Sequence, residues 1–203
     1  VVLGKKNATL SANNIEGLDV IAFLEKAKFM AASSPEDPFS GLPDASDYAD
    51  SLNKLDLEDN NTIDKKALTD LVMQAEEKML NVKGVTNTEG ASASTSRTEI
   101  SFLSSKDFFK SYKKTIHSIS AIAIAGQDTN MQRDYDYSAA IHFDDLKNPI
   151  KVGEKAGERA ASRLNSRKIK SSNVDVLFEP RIAKSLLSSL ASCISGSSIA
   201  RGT

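Results

Sequence analysis

The sequence predicts an α+β fold: an antiparallel β-meander with flanking helices, followed by the start of a second α/β domain. Residues from Asn87 to Phe143 alternate between apolar and polar with a period of two, which indicates β-strands. Before and after this stretch, apolar residues recur at helical spacing, which is typical of amphipathic helices. The connections between the predicted strands are short, and short connections make neighbouring strands antiparallel.

Three strands form the predicted meander, at about Ala91–Ser104, Phe109–Ala125 and Gln132–Phe143. At ~3.3 Å per residue the middle strand would span roughly 55 Å, whereas ordinary strands stop near ~10 residues. We therefore expect a bulge or bend near Ser118–Ser120, where the apolar alternation becomes mixed. The Ile122–Ala125 end is apolar on both faces and is expected to be buried.

The N-terminal part begins with a predicted hairpin, in which Val1–Leu3 and Ala8–Ala12 flank a turn. A helix is predicted over Gly17–Ala32, because one stripe of its surface is apolar. Prolines and acidic residues then predict a long irregular loop at about 33–61, with a short turn at Ala45–Asp50.

Two further helices flank the meander. Asp64 can cap a helix over Lys65–Val82, and Asn148-Pro149 can open another over Ile150–Leu164. Both carry an apolar stripe that is expected to face the sheet, formed by Leu68, Leu71, Val72, Ala75 and Met79 in the first helix and by Val152, Ala156, Ala160 and Leu164 in the second.

A polar linker predicts a domain boundary at Ser171, so that 1–171 form one α+β domain and 172–203 the beginning of a truncated C-terminal domain. The second part is expected to hold a strand over Val174–Glu179 and a helix from Pro180. Cys193 lies on the apolar stripe of that helix and is expected to be buried and unreactive. Because the chain starts inside a predicted strand without an initiator Met, we expect a piece of a longer protein.

The composition argues against a nucleic-acid-binding protein, a secreted protein and a membrane protein. With 26 Lys and Arg against 27 Asp and Glu, the net charge of -1 argues against direct nucleic-acid binding. The single cysteine excludes an intramolecular disulfide and is typical of a reducing compartment, so we expect a cytoplasmic protein. No apolar run approaches the ~18 residues of a membrane span, and no signal peptide is visible, so no membrane association is expected.

The sequence offers little catalytic chemistry. The two histidines, His117 and His142, lie outside helical patterns and lack the His-Glu-x-x-His spacing of zinc proteases. They are interpreted as surface or packing residues, and no metal site is predicted. Asp134 and Asp136 share one face of a strand, which we expect to be its solvent side, with Arg133 beside them in an ion pair.

The small residues at Ala91–Ser96 leave room for another backbone to approach the sheet. An extended peptide could bind there by adding to the sheet through main-chain hydrogen bonds. Alternatively, a helix of the same protein packs on these residues, which is the interpretation we favour slightly.

Six sequence runs resemble the PmbA/TldE branch of the TldD/PmbA family. Three lie in the centre, and three lie towards the ends in the expected order: Glu89-Gly90-Ala91-Ser92-Ala93-Ser94, Ser118 to Gly126, Met131-Gln132-Arg133-Asp134-Tyr135-Asp136-Tyr137-Ser138, Val2 to Lys6, Ser34 to Pro38, and Phe178 to Arg181. The resemblance covers most of the 203 residues and corresponds to the N-terminal and central part of a longer chain.

The resemblance implies a non-catalytic subunit of a cytoplasmic TldD/TldE-type zinc metallopeptidase that acts on unfolded peptides. Such systems are implicated in peptide-precursor maturation and antitoxin degradation. The zinc is expected only in a TldD-like partner, because the His-Glu-x-x-x-His signature of that branch is missing here, so this chain is expected to hold no cofactor. The implied partner is a TldD-like subunit or a second copy of the chain.

Two alternatives stay open. The protein could be an autonomous metallopeptidase with its ligands in the missing C-terminal half, or a binding module that modulates DNA gyrase or a toxin–antitoxin system. Whether the chain belongs to an active enzyme is therefore not decided by its residues. The residues predicted to bind peptide are Glu89, Gly90, Ala91, Ser92, Ala93, Ser94, Arg133, Asp134 and Tyr135.

Overall fold

The computed structural model describes residues 1–49, 51 and 55–202, and it divides into two compact units, 1–164 and 165–203. The first unit combines an antiparallel sheet with helices, so the predicted α+β class is confirmed. The predicted boundary at Ser171 lies inside the second unit, seven residues after the division.

The central sheet has three antiparallel strands in the order β3-β4-β5: β3 (Val85–Ser104), β4 (Phe108–Ala125) and β5 (Gln132–Ala140). This is the predicted meander. The first strand begins six residues earlier than predicted, and the last strand ends three residues earlier. β3 and β4 pair with each other over their whole length, whereas β5 covers only the half of β4 from His117 to Ala125.

The bulge predicted near Ser118–Ser120 is wrong. The pairing of β4 with both neighbours is continuous there, and the register shifts lie in β3 instead, between Val85 and Asn87 and between Thr88 and Gly90. The mixed alternation of β4 arises because serines replace apolar residues on one face, not because a residue is inserted. Gly90 accommodates the irregularity of β3 with a positive φ of 100°, which a glycine adopts without strain.

Two helices cover one face of this sheet: α2 (Lys65–Leu80) and α3 (Pro149–Ser162). Asp64 caps α2, and Asn148 caps α3, as predicted. The helices and the sheet share a core of small side chains with few large ones, made of Ala75, Met79, Ile119, Ala121, Ala123, Ala125, Val152, Ala156 and Ala160. Because most of these residues are alanines, the helices lie close to the sheet and to each other.

In the N-terminal segment of the first unit, a hairpin and a helix contact each other. The hairpin pairs β1 (Val2–Leu3) with β2 (Lys6–Asn7), so the second strand predicted at Ala8–Ala12 is wrong. Gly4, at a positive φ of 60°, allows this tighter turn. α1 (Val20–Ser33) follows and confirms the predicted helix, and Asp19 caps it. A short 3-10 turn spans Ala45–Asp47, within the predicted turn, of which Asp50 lies outside the described residues.

The second unit holds two helices in its described residues, α4 (Pro180–Cys193) and α5 (Gly196–Arg201). The predicted strand at Val174–Glu179 is wrong, because this segment has no regular structure and its apolar side chains are exposed. The apolar stripe of α4 is exposed as well, and so is Cys193, which corrects the prediction that this thiol is buried. Within the described part of the chain, every helix is too short or too polar to cross a bilayer.

Candidate functional site

The face of the sheet opposite α2 and α3 is exposed, and we call it the open face. It carries the even-numbered residues of β4, because strand side chains alternate between the two faces. Ser92 and Ser94 of β3 lie there opposite Ser120 and Ser118 of β4. On β5 the open face carries Arg133, Tyr135 and Tyr137, whose partners in β4 are Ile124, Ile122 and Ser120.

Two pairs of serines form a flat polar floor on the open face. The hydroxyl oxygens of Ser92 and Ser120 lie 2.9 Å apart, and those of Ser94 and Ser118 are also separated by 2.9 Å. Each hydroxyl therefore has a partner across the strands, yet retains the capacity for a second hydrogen bond. The side chains are so short that another molecule can approach the sheet closely at this point.

Next to the serines lies a shallow depression of about 330 Å³ between β4 and β5. Its walls include Ile122 and the rings of Tyr135 and Tyr137, which stack with their centroids 6.2 Å apart. The two tyrosines are 39% and 44% exposed, although their rings are large and partly apolar. The depression thus combines an apolar wall with hydroxyl groups, a composition suited to binding a flexible ligand.

An ion pair bounds the open face at the end near Gly90. The Nε of Arg133 donates a hydrogen bond to Oε1 of Glu89 at 2.7 Å, across the width of β4. This hydrogen bond holds the pKa of Glu89 below its ordinary value and raises the pKa of Arg133. The irregular pairing of β3 around Gly90 lies beside Glu89, at the same end of the sheet as Arg133.

The sheet separates the residues predicted to bind peptide into two groups. Exposed on the open side are Glu89, Ser92, Ser94, Arg133 and Tyr135. The remaining side chains do not join them: Gly90 has none, whereas Ala91, Ala93 and Asp134 lie on the face covered by α2 and α3. The helices therefore cover the alanines of this stretch and leave its serines open, whereas the binding of a peptide there stays a prediction.

The prediction that Asp134 and Asp136 form the solvent side of their strand is wrong. They are 5% and 6% exposed, whereas the tyrosines beside them are exposed. Both buried carboxylates are paired with arginines at the C-terminal end of α3: Nε of Arg163, directly after the helix, lies 2.7 Å from Asp134, and Arg159 within the helix hydrogen-bonds Asp136. The pattern of alternation was correct, but the paired charges made the buried face of this strand look polar.

The alternation of β4 could have revealed the residues that sequence reasoning missed in the depression. Ser118, Ser120 and Ile122 share the even-numbered face, and Tyr137 shares the face of Tyr135. What the sequence did not supply was the register that places these residues beside Ser92 and Ser94.

A second polar cluster lies on the helix-covered side of the sheet, around Asp59. Its Oδ1 accepts from the backbone N–H of Asn61, and its Oδ2 accepts from that of Phe143, each at 2.8 Å. The hydrogen bond from Phe143, followed by the one from Asn61, holds the pKa of Asp59 below its ordinary value. Nε2 of His117 lies 3.3 Å from the same carboxylate, and its Nδ1 is 2.9 Å from the hydroxyl of Thr95.

The order Thr95, His117, Asp59 is similar to a nucleophile, base and acid relay, but the geometry differs. In such a relay the acid orients the imidazole through a hydrogen bond. Here Nε2 of the buried His117 makes no hydrogen bond. It lies within hydrogen-bonding distance of the Asp59 carboxylate, but the two groups are not aligned for a hydrogen bond. Thr115 makes two hydrogen bonds to the loop. Its backbone N–H donates to the carbonyl of Leu57, and its hydroxyl accepts from the backbone N–H of Asp59. The cluster therefore fixes the loop on the sheet.

The described residues do not fit a zinc site. His142 contacts Asp56 at 2.9 Å, and His117 contacts Asp59, so each histidine has one carboxylate neighbour. A zinc site in a protein uses three or four ligands around one point. No group of three His, Cys, Asp or Glu side chains in the part of the chain that the structure describes could hold a metal ion.

Comparison with known proteins identifies the family to which the sheet and its two covering helices belong. Residues 56–164 match the family described as PmbA/TldA metallopeptidase central domain, which covers the sheet, α2 and α3. A Haemophilus influenzae protein named as a metalloprotease PmbA homologue is 29% identical over 202 residues, which make up 99% of this chain and 45% of that protein. The chain thus spans about half the length of the curated relatives it matches.

Solved structures share the fold. A Bacteroides thetaiotaomicron protein named as a modulator of DNA gyrase has a TM-score of 0.83 at 22% identity, over 97% of this chain and 46% of its own. TldE from Thermococcus kodakarensis has a TM-score of 0.53 at 15% identity, over 74% of this chain and 33% of its own.

Proposed function

Because the chain belongs to the PmbA/TldD family of metallopeptidases, we propose that it is part of a non-catalytic, TldE-like subunit of a cytoplasmic zinc metallopeptidase. In this proposal its open face forms a wall against which an unfolded peptide lies, and a TldD-like subunit supplies the zinc. The peptide is a precursor to be matured or an unstructured antitoxin to be degraded.

The observation that carries the proposal is the depression between β4 and β5. Its volume of about 330 Å³ lies near the lower end of ligand-binding pockets, which suits a few side chains of an extended peptide rather than a folded partner. Tyrosine and serine together give adaptable recognition, since tyrosine supplies rigid amphipathic contact area and serine supplies hydrogen bonds that fit many partners.

The charges around the depression support weak sequence selectivity. Glu89 and Arg133 neutralise each other on the open face, and Asp134 and Asp136 point away from it towards cations of α3. A peptide in the depression therefore meets hydroxyl groups and aromatic rings rather than an unpaired charge. Such a surface selects for an extended chain more than for a particular residue.

Binding of peptide to the open face can be tested with the tyrosines. We expect the double variant Tyr135→Ser, Tyr137→Ser to weaken the binding of a fluorescein-labelled Ala/Ser/Val peptide by about tenfold, because two aromatic contacts are removed. The matched control is Tyr112→Ser, since Tyr112 is 37% exposed on the same face but lies outside the depression. Fluorescence anisotropy measures the affinity. Equal affinities for the double variant and the unaltered protein would contradict the proposal.

The division of labour needs a separate experiment with the full-length protein. We expect hydrolysis of an unfolded peptide only when a TldD-like subunit is present, and we expect the two proteins to purify together. Hydrolysis by this protein alone, inhibited by a chelator, would contradict the non-catalytic role and favour the autonomous metallopeptidase. Peptide binding without hydrolysis in either case would favour the binding module.

A further inference from the structure

The outer edge of β3 is a long unpaired strand edge. The order β3-β4-β5 leaves β3 with a neighbour on one side only. From Ala91 to Ser104, no described residue outside β4 makes a backbone–backbone hydrogen bond to this strand. Edge strands are normally protected by lysines, prolines or shortness, and β3 has no Lys or Pro in its 20 residues. Such an edge is a template for another strand.

The composition of β3 changes along its length. Its first part, Ala91–Ser96, consists of alanine, serine and threonine, whereas Ile100–Leu103 contributes three large apolar side chains. Between them lie Arg97, Thr98 and Glu99. A strand with small residues at one end and large residues at the other is complementary to itself when it is reversed.

We propose that a second copy of the chain adds to this edge, with the two β3 strands antiparallel and Thr98 on the two-fold axis. The sheets of the two copies then join into one continuous six-stranded sheet. A two-fold axis makes such an interface isologous, so that every contact occurs twice. This interface requires no peptidase chemistry and does not rest on the proposed function.

Size complementarity supports this register. Reversal about Thr98 places Ala93 opposite Leu103 of the second copy, on the helix-covered face. On the open face it places Ser94 opposite Phe102 of the second copy, and Ser96 opposite Ile100 of the second copy. Each large side chain thus lies over a small one. Phe102 and Leu103 are 57% and 76% exposed in the single chain, so both have surface to bury.

Charge selects this register over its neighbours. With Thr98 on the axis, Arg97 faces Glu99 of the second copy, and the reverse pair forms by symmetry. If the axis lay at residue 97, the arginines of the two copies would lie opposite each other. If it lay at residue 99, the glutamates of the two copies would lie opposite each other. Like charges directly opposite each other destabilise a strand pair, and opposite charges stabilise it.

The contacts that Arg97 already makes are compatible with this arrangement. Its Nη2 donates to the carbonyl of Asp59 at 2.7 Å, and its Nε lies 3.5 Å from Glu58. A guanidinium has five donor hydrogens, so it can also contact Glu99 of the second copy. Pairing from Ser92 to Ser104 would add on the order of a dozen backbone hydrogen bonds, as in an ordinary antiparallel pair. The depression between β4 and β5 stays uncovered.

A disulfide on the axis tests the register. In a Cys193→Ser background, which removes the exposed thiol, Thr98→Cys should form a disulfide-linked dimer under mild oxidation. Residues facing each other in an antiparallel pair have Cα atoms about 4.5–5.5 Å apart, which a disulfide spans. The matched control Ser96→Cys should stay monomeric on a non-reducing gel, because its two copies lie far apart, and Ser96→Cys with Ile100→Cys should cross-link again.

The charges provide a second, reversible test by sedimentation velocity. Glu99→Arg should raise the dimer Kd by about tenfold. Mixing the Glu99→Arg and Arg97→Glu proteins should restore dimers, because both cross-strand pairs are then attractive. A Thr98→Cys protein that does not cross-link, or a mixture that stays as weakly associated as its components, would overturn the interface. If peptide binding is unchanged in the same samples, the proposed dimer interface is wrong but the proposed peptide-binding function is not contradicted.

Discussion

Asp59 is the residue at which three separate segments meet. Its carboxylate accepts hydrogen bonds from the backbone of Asn61 and of Phe143, and it contacts the buried His117 of β4. The loop that carries Asp59 also contacts the sheet at Thr115 and Arg97, and its Tyr48 hydrogen-bonds Ser104 and stacks on Phe108. The ionised state of this one side chain therefore contributes to holding the loop in place.

We expect the stability of the protein to fall in acid partly through Asp59. Its pKa is lowered in the folded state from 3.8, so the ionised carboxylate stabilises the fold fully above that pH. This contribution disappears as the pH falls through the lower, folded-state pKa. Asp59→Asn should therefore be less stable near neutral pH and should lose less stability than the unaltered protein as the pH falls below 3.8. Chemical denaturation at a series of pH values measures both.

Measurements at different salt concentrations distinguish the effect of Asp59 from that of Glu89, whose pKa is also lowered. Glu89 owes its shift to an exposed ion pair with Arg133, which salt screens, whereas Asp59 owes its shift chiefly to backbone hydrogen bonds. Glu89→Gln should change the pH dependence only at low ionic strength, and Asp59→Asn should change it at high ionic strength too. If Asp59→Asn keeps the pH dependence of the unaltered protein, the loop is held by other contacts.

Sequence reasoning could not find this cluster. Asp59 and His117 are 58 positions apart, and Asp59 lies in a loop with many other acidic residues, so nothing in the local pattern distinguished it. The sequence pattern left open whether His117 is a surface or a packing residue; it is 1% exposed, and its neighbours depend on where the loop crosses the sheet. Only the tertiary structure determines that crossing.

At the scale of elements, α2 and α3 approach each other closely. Gly153 and Gly157 occur four positions apart on α3, facing Ala75, Met79 and Val82 at the C-terminal end of the α2 segment. The absence of side chains at these two positions lets the helix backbones touch. Both helices can consequently pack on a sheet face lined with alanines.

We expect Gly153→Ala to lower the free energy of unfolding by about 1–3 kcal/mol or more, even though alanine favours helix by up to about 1 kcal/mol over glycine. A Cβ at this position would lie 1.9 Å from the carbonyl oxygen of Ala75, so the helices would have to separate. Gly41→Ala is the control, since nothing lies within 4 Å of the added atom. Urea denaturation of both variants measures the change in stability. Equal unfolding midpoints for the two variants would show that the helices can separate without loss of stability.

Element positions followed well from the sequence where one signal dominated. The stripe of α2 and the alternation of β4 were sufficient, because each places its apolar residues on a single face. The signal failed where charge was buried: the pairs of Asp134 and Asp136 with α3 made a buried face look solvent-exposed. It failed again at Val174–Glu179, where an apolar run is exposed and forms no strand. The first failure depends on arginines that lie outside the local sequence.

At the scale of the whole molecule, the two units differ in how they dispose of apolar surface. The first unit buries a shared core between its sheet and helices. In the second unit α4 buries none of its residues, and its apolar stripe is exposed, comprising Ile182, Leu186, Leu187 and Leu190. A contiguous apolar patch seldom stays uncovered, so we expect this stripe to be a site of association.

We expect Leu186→Lys with Leu190→Lys to suppress concentration-dependent association of this chain beyond the dimer, because two charges then interrupt the apolar stripe. The matched control is Ser185→Lys with Ser188→Lys, which adds the same charge to the polar side of α4. Static light scattering over a concentration series measures the mass. The dimer formed through β3 should persist in both variants, since α4 takes no part in that strand pairing. If the control suppresses association as strongly as the leucine variant, net charge rather than the apolar stripe governs it, and α4 is not an association surface.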